Sequence, residues 1–217
     1  MGQSTALRPA ILALSLLAGL SYTFSSTLTV PFVALVIWKG SGVGMLALYA
    51  ALAARSRDGW LLSVVMALHS CGDIVLDAAG YTAGALLFMI GHAVAIGLYA
   101  RNRRPQLSRS QTLLALLLVP FSLLIAFAMT QDVGVGVYTI VVSAMAAMAW
   151  TSRFSRYSVG IGAIAFLVSD LLIFARMGPL AGVGQVSFSI WILYFSGQFM
   201  ITVGVARALA KRRPVEI

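Results

Sequence analysis

Charged residues and cysteines are scarce in this sequence. Only 10% of its 217 residues are charged, whereas about a quarter of the residues of a soluble globular domain carry charge. The single cysteine, Cys71, excludes an intrachain disulfide and a cysteine-rich metal site. Because Cys71 lies within an apolar segment, we expect its side chain to serve in packing.

Apolar residues dominate the chain instead. They make up 60% of it, and the mean hydropathy is +0.96. Successive apolar runs reach the roughly 20 residues that a helix needs to cross the hydrocarbon core of a bilayer. These runs do not alternate in polarity, as the strands of a membrane barrel would. The sequence therefore predicts an all-α polytopic bundle within the lipid bilayer, as a single domain over residues 1–217.

The apolar runs predict eight spans. They are 8–24, 28–54, 58–78, 82–101, 110–130, 133–151, 156–176 and 187–210. The second span is interrupted by "WKGSG" at residues 38–42. Its glycines and lysine predict a kink or a split into two short helices, because irregular backbone is tolerated at depth where protein or water covers it.

The net charge of +9 arises from basic residues in short segments between the spans. They form no stripe on a soluble domain, which argues against nucleic acid as a partner. If Arg8 lies on one side and the chain crosses at each span, that side also receives Arg55, Arg57, Arg101, Arg103, Arg104, Arg109, Arg153, Arg156, Arg207, Lys211, Arg212 and Arg213. Only Lys39 and Arg176 fall outside this set. The positive-inside rule then predicts that both termini are cytoplasmic. We expect the protein to lie in the cell membrane, which is the inner membrane in bacteria.

Several polar residues interrupt the spans at similar depths. At about 1.5 Å per residue, Asp73, Asp170 and Tyr194 lie roughly 8–10 Å below the non-cytoplasmic helix ends. His69, His92, Lys39 and Gln198 lie roughly 13–16 Å below them, and Asp77 lies at the rim. His69, Asp73 and Asp77 form one stripe at i, i+4 and i+8. Ionised side chains are costly to expose to lipid, so these positions predict a polar pocket that opens to the non-cytoplasmic side.

Structural roles compete with functional ones at these positions. The side chains of His69 and His92 could simply form hydrogen bonds between helices. Lys39 could pair with an aspartate to neutralise the core, and Asp77 could simply be solvated at its helix end. A functional role is more strongly indicated for Asp73 and Asp170, because two carboxyl groups converge at one depth where few cations accompany them.

Four sequence elements, in order, resemble the YhhN-like proteins, the lysoplasmalogenase family. They are the "GD" of "HSCGDIVLD", the "GH" of "LLFMIGHAVAIG", the "F-x-x-SD" of "AFLVSDLLIF" and the "Y-x-x-x-Q" of "YFSGQFMITVG". Together they extend over most of residues 57–205. One departure is that Gly40 follows Lys39, where the family usually has a proline.

This resemblance implies an activity. Members of the family cleave the vinyl ether bond of lysoplasmalogens to a fatty aldehyde and glycerophosphocholine or glycerophosphoethanolamine. The functional aspartates of the family would correspond to Asp73 and Asp170. The residues implied to line the substrate site are Lys39, His69, Asp77, His92, Tyr194 and Gln198. The implied partner is a lysophospholipid, with no cofactor.

The chemistry of a vinyl ether suits two carboxyl groups. Hydrolysis needs an acid that protonates carbon and an anion that stabilises the resulting cation and activates water. Two carboxyl groups in unequal environments can divide these roles, as they do in glycosidases. Either Lys39 or Arg176 could hold the lipid phosphate.

Other classes of function stay open at this point. A catalytic zinc usually has about three protein ligands. The chain has two histidines, with aspartates near them, so no metal is expected and a His/His/Asp site is the runner-up. Buried Asp, Lys and His could instead relay protons or ions in a transporter. A third alternative is a membrane protein that binds lysolipid without catalysis.

Overall fold

The computed structural model describes residues 3–211, with side chains from Leu7 onward. Within these residues the chain forms eight α-helices and no strand beyond an isolated bridge between Arg103 and Ser152. The helices are α1 Gln3–Ser21, α2 Phe32–Ala53, α3 Arg57–Ala79, α4 Tyr81–Arg101, α5 Arg109–Thr130, α6 Val133–Thr151, α7 Ile161–Met177 and α8 Gln185–Ala210. A 3₁₀ segment, Tyr22–Thr27, extends α1, and a π-helical turn, Arg156–Gly160, leads into α7.

All eight helical segments are long and apolar enough to cross a membrane. The prediction of an all-α polytopic membrane protein is therefore confirmed. The predicted span 133–151 coincides with α6, and the others differ by a few residues at their ends. The side on which the termini lie stays a prediction, and Arg212 and Arg213 of that argument lie outside the described residues.

Short polar and glycine signals set the helix ends. Ser56 accepts a hydrogen bond from the backbone of Gly59 at the start of α3. Ser108 forms a reciprocal capping box with Gln111 at the start of α5. Such caps satisfy backbone N–H groups that have no partner within the helix. Gly80 adopts a φ of 95°, a conformation that favours glycine, and this allows α4 to follow α3 after a single residue.

The expected split of the second span into two helices is wrong, because α2 is one continuous helix from Phe32 to Ala53. Its glycines serve close packing instead. A Cβ on Gly40 would lie 2.6 Å from Ile74 of α3, and one on Gly42 would lie 3.1 Å from the Cα of Gly19 in α1. The span also begins at Phe32, after Pro31, rather than at residue 28. Lys39 is therefore nearer the helix end than the sequence predicted.

Helix α3 occupies the middle of the arrangement that positions the polar residues. It packs against α2, α4 and α8. Helices α7 and α8 pack at a close crossing, where a Cβ on Gly197 would lie 2.6 Å from the carbonyl oxygen of Gly162. This close approach brings the polar residues of α7 and α8 toward those of α3.

The interpretation of Cys71 as a packing residue is also wrong. Its side chain is exposed on the outer surface of α3. The neighbouring residues Gly72 and Asp73 are the ones that face the interior.

Candidate active site

Six of the eight site residues predicted from the sequence meet in the interior of the bundle. They are His69, Asp73, His92, Asp170, Tyr194 and Gln198. Asp73 is 3% exposed and Asp170 is 6% exposed. The pocket expected at this depth is thus a closed cluster of packed side chains, whereas cavities of ≈ 550 Å³ and ≈ 440 Å³ lie elsewhere on the protein.

The carboxyl group of Asp73 belongs to a hydrogen-bond chain with α8. The hydroxyl of Tyr194 donates to Asp73 Oδ2 at 2.7 Å. The amide nitrogen of Gln198 lies 3.3 Å from that hydroxyl and 2.8 Å from Nδ1 of His69. Because Tyr194 and Gln198 are i and i+4 on one helix, a single face of α8 holds both groups.

The carboxyl group of Asp170 belongs to a second chain, which includes a residue that the sequence argument missed. The hydroxyl of Tyr138 in α6 donates to Asp170 Oδ2 at 2.8 Å. Nε2 of His92 lies 3.3 Å from the same hydroxyl. Tyr138 interrupts an apolar run five residues into α6, roughly 7.5 Å from the helix end. Its depth matches that of Asp73, and this signal could have identified it.

The two histidines bring the two chains together. Their rings meet edge to face with centroids 4.8 Å apart. Among the described residues, Nε2 of His69, Nδ1 of His92 and Oε1 of Gln198 are buried without a hydrogen-bond partner. Buried polar atoms without partners are rare in native proteins. They leave donor or acceptor capacity inside the cluster that a bound molecule or water can use.

Aromatic rings enclose the cluster. The ring of Phe166 lies 4.9 Å from that of His92 and 5.2 Å from that of Tyr194, between centroids. Phe88 packs against His69 with a centroid separation of 5.3 Å. The carboxyl groups therefore lie in apolar surroundings that exclude bulk water.

A glycine precedes three of the polar residues, and close helix packing explains this pattern. A Cβ on Gly72, before Asp73, would lie 2.8 Å from the ring of Phe88. A Cβ on Gly91, before His92, would lie 2.6 Å from Nε2 of His69. Gly197, before Gln198, touches α7 in the same way. The "GD", "GH" and "GQ" dipeptides thus combine a contact surface with an adjacent inward-facing polar group.

Lys39 and Asp77 are separate from this cluster. Nζ of Lys39 donates to Asp77 Oδ1 at 2.7 Å, with side-chain exposures of 14% and 24%. The alternative in which Lys39 pairs with an aspartate is therefore observed, and Asp77 is a partly exposed member of this ion pair. The pair lies toward one end of the bundle, because Lys39 is close to the start of α2 and Asp77 is close to the end of α3.

The donor set for a metal ion is limited. Within the part of the chain that the structure describes, no group of three His, Cys, Asp or Glu side chains is arranged to hold one. The polar atoms of the cluster form hydrogen bonds with tyrosine and glutamine instead.

The sequence model of the YhhN family matches residues 34–205 of this chain. The matched range includes every residue of the buried cluster and the Lys39–Asp77 pair. No curated protein and no solved structure matches the chain.

Proposed function

The chain belongs to the YhhN family, and from this premise we propose that it is a lysoplasmalogenase-like hydrolase of the membrane. The proposed reaction consumes one water and cleaves the vinyl ether bond of a lysoplasmalogen. Its products are a fatty aldehyde and glycerophosphocholine or glycerophosphoethanolamine. Asp73 and Asp170 are the proposed catalytic residues.

One observation carries this proposal. Two buried carboxyl groups, from α3 and α7, each accept a hydrogen bond from a tyrosine hydroxyl at 2.7–2.8 Å. Burying a carboxylate is costly, and its presence in a membrane span indicates function by default. A purely structural role would be served by uncharged groups of similar size.

The first step of the proposed mechanism is proton transfer to carbon. One carboxyl group, in its protonated form, donates its proton to the β-carbon of the vinyl ether. The electron pair of the double bond forms the new C–H bond, and the ether oxygen shares the positive charge as an oxocarbenium ion. The other carboxyl group, ionised, stabilises this cation.

The second step adds water and breaks the ether. The carboxylate left by the first step accepts a proton from water while the water oxygen bonds to the cationic carbon, which gives a hemiacetal. The hemiacetal then collapses: its hydroxyl loses a proton, the bond to the glycerol oxygen breaks, and that oxygen is protonated. The proton taken from water restores the acid, so the protein is unchanged after one turnover.

Purified protein with a lysoplasmalogen tests the proposal directly. Aldehyde release, measured with and without a strong chelator, is expected in both conditions. Activity that is lost in chelator and restored by one specific metal would favour the metal mechanism instead. Absence of aldehyde release, with proton or ion flux in liposomes, would favour a transporter. Binding of lysolipid without either activity would favour a non-catalytic role.

A further inference from the structure

We propose that Arg176 binds the phosphate of the lysolipid, together with the hydroxyls of Tyr81 and Ser187. This inference rests on the proposed function, because it assigns the part of the site that holds the substrate head. It also separates Arg176 from Lys39, the other cation that the sequence places at this end of the bundle.

The three side chains meet where α4, α7 and α8 come together. Arg176 lies in the last turn of α7, Tyr81 begins α4, and Ser187 lies in the first turn of α8. The guanidinium donates to the hydroxyls of Ser187 and Tyr81, each at 2.9 Å. Both partners are neutral, so the positive charge of Arg176 is not balanced by them.

Arg176 has free capacity for an anion. An arginine side chain carries five N–H donors in a planar fork that matches phosphate oxygens. The two hydroxyl contacts leave donors available at a partly exposed position. Among the described residues, the ion pairs are Lys39–Asp77 and Arg101–Asp58, and Arg176 belongs to neither.

Lys39 lacks this capacity. Its ammonium group forms a 2.7 Å ion pair with Asp77, which balances its charge and fixes its position. A phosphate that approached Lys39 would also approach the carboxylate of Asp77. At Arg176 no carboxylate lies within ion-pair distance among the described side chains, so this residue is the better partner for an anion.

The spacing along α7 suits the substrate. Arg176 follows Asp170 by six residues, which corresponds to roughly 9 Å along the helix axis. In a lysoplasmalogen, seven bonds separate the β-carbon of the vinyl ether from phosphorus. Covalent geometry allows an extended chain roughly 1.2 Å per bond, or about 8 Å in total. A lipid with its vinyl ether at Asp170 therefore reaches the level of Arg176 along the axis. The two positions differ by about 120° around the helix, so the phosphate must meet the long arginine side chain where it extends toward α4 and α8.

The surrounding backbone favours negative charge as well. Tyr81 and Ser187 lie at the N-terminal ends of two long helices, and neither helix has a side-chain cap. The first N–H groups of a helix carry a partial positive charge. They support an anion that the arginine already attracts.

Binding measurements can test Arg176 without turnover. The probes are a saturated 1-alkyl lysophosphocholine, which has no vinyl ether, and the corresponding 1-alkylglycerol, which has no phosphate. Arg176→Gln should weaken binding of the phosphate probe about 10- to 100-fold, as expected for a lost charge-assisted hydrogen bond. Binding of the alkylglycerol should not change. Arg176→Lys should show a smaller loss for the phosphate probe, since lysine keeps the charge without the fork.

Arg109→Gln is the matched control, because it removes an exposed arginine at the opposite end of the bundle. It should leave both affinities unchanged. Equal weakening for both probes, or no weakening for the phosphate probe, would overturn the assignment. So would inorganic phosphate alone giving the same Arg176-dependent stabilisation as the lipid. If Arg176→Gln fails to fold, the same comparison of the two probes with Arg176→Lys tests the assignment. Failure of the proposed function would appear separately, as absence of aldehyde release by the unmodified protein.

Discussion

Each of the two proposed catalytic carboxyl groups is held through one oxygen. Tyr194 and Tyr138 donate to Oδ2 of Asp73 and Asp170 respectively. Within the described residues, no side chain forms a hydrogen bond with either Oδ1. The tyrosines therefore orient each carboxyl group and leave its second oxygen for a substrate or a water.

The first prediction concerns the two aspartates. Asp73→Asn and Asp170→Asn should each remove most aldehyde release, because an amide can neither donate a carboxylic proton nor carry negative charge. A positioned acid or base contributes a factor of about 10²–10⁴, and the double variant should be far from additive. The measurement is aldehyde release beside a melting curve for each variant.

Asp77→Asn is the control for this pair. It removes a carboxylate from the same stripe of α3, but that carboxylate bonds to Lys39 at the rim rather than to the buried cluster. Its loss of turnover should be much smaller. Near-normal turnover in the Asp73 or Asp170 variant would mean that the carboxyl group in question only serves packing.

The second prediction concerns the tyrosines. Tyr138→Phe and Tyr194→Phe keep the ring and remove the hydroxyl that holds a carboxyl group. A hydrogen bond to a charged group contributes about 1.5–3 kcal/mol, so turnover should fall roughly 10- to 100-fold. Tyr157→Phe, at an exposed tyrosine near the start of α7, should have no effect. Unchanged kcat in both buried variants, with intact melting curves, would contradict an orienting role.

At the scale of the helices, contacts between glycines and side chains fix where the polar groups point. The third prediction tests this with two glycines of α4. Gly91→Ala should displace the enclosed ring of His69, because the new Cβ would lie 2.5 Å from its Cδ2. Overpacking of this kind typically costs about 1–3 kcal/mol of stability. Turnover should fall with it.

Gly97→Ala is the matched variant on the same helix. A Cβ there meets nothing within 4 Å, and alanine is a better helix former than glycine by about 1 kcal/mol. Its melting temperature should be unchanged or higher. Equal melting temperatures for the two variants would mean that the Gly91 contact does not constrain His69.

The sequence predicts the helices well, because spans depend on length and hydropathy, which are local properties. It fails at α2, where "WKGSG" favours a break. The continuous helix is stabilised by partners that are distant in the chain, since Gly40 packs on Ile74 and Gly42 packs on Gly19. Composition alone cannot distinguish a glycine that loosens a helix from one that permits close packing.

The sequence predicts which residues belong to the candidate site better than it predicts how they pair. Depth counting brings together His69, Asp73 and Asp170, because the distance along a helix follows from residue number. Depth does not specify which groups pair. The bond between Lys39 and Asp77 depends on where α2 begins, and the exposure of Cys71 depends on the rotation of α3. Tyr138 could have been identified in the same way if tyrosines had been counted among the polar residues of each span.

The fourth prediction belongs to the whole molecule. Tags at both termini should be accessible from the cytoplasm, and labels near Ala79 and Gln131 should be accessible from the opposite side. The reason is the bias of basic residues toward one end of the helices. The measurement is tag accessibility in intact cells and in inverted vesicles. Termini on opposite sides would contradict the depth argument, which depends on an even number of crossings.

The nearly complete burial of Asp73 and Asp170 has a kinetic consequence. A lipid cannot reach carboxyl groups that are 3% and 6% exposed unless the helices around them separate. Opening and closing of an enclosed site commonly limit turnover. The solvent for that motion is the acyl chains of the bilayer, against which the outer faces of the helices must move. The proposed hydrolysis should therefore depend on membrane fluidity, so that a cell that stiffens or softens its lipids would also alter its rate.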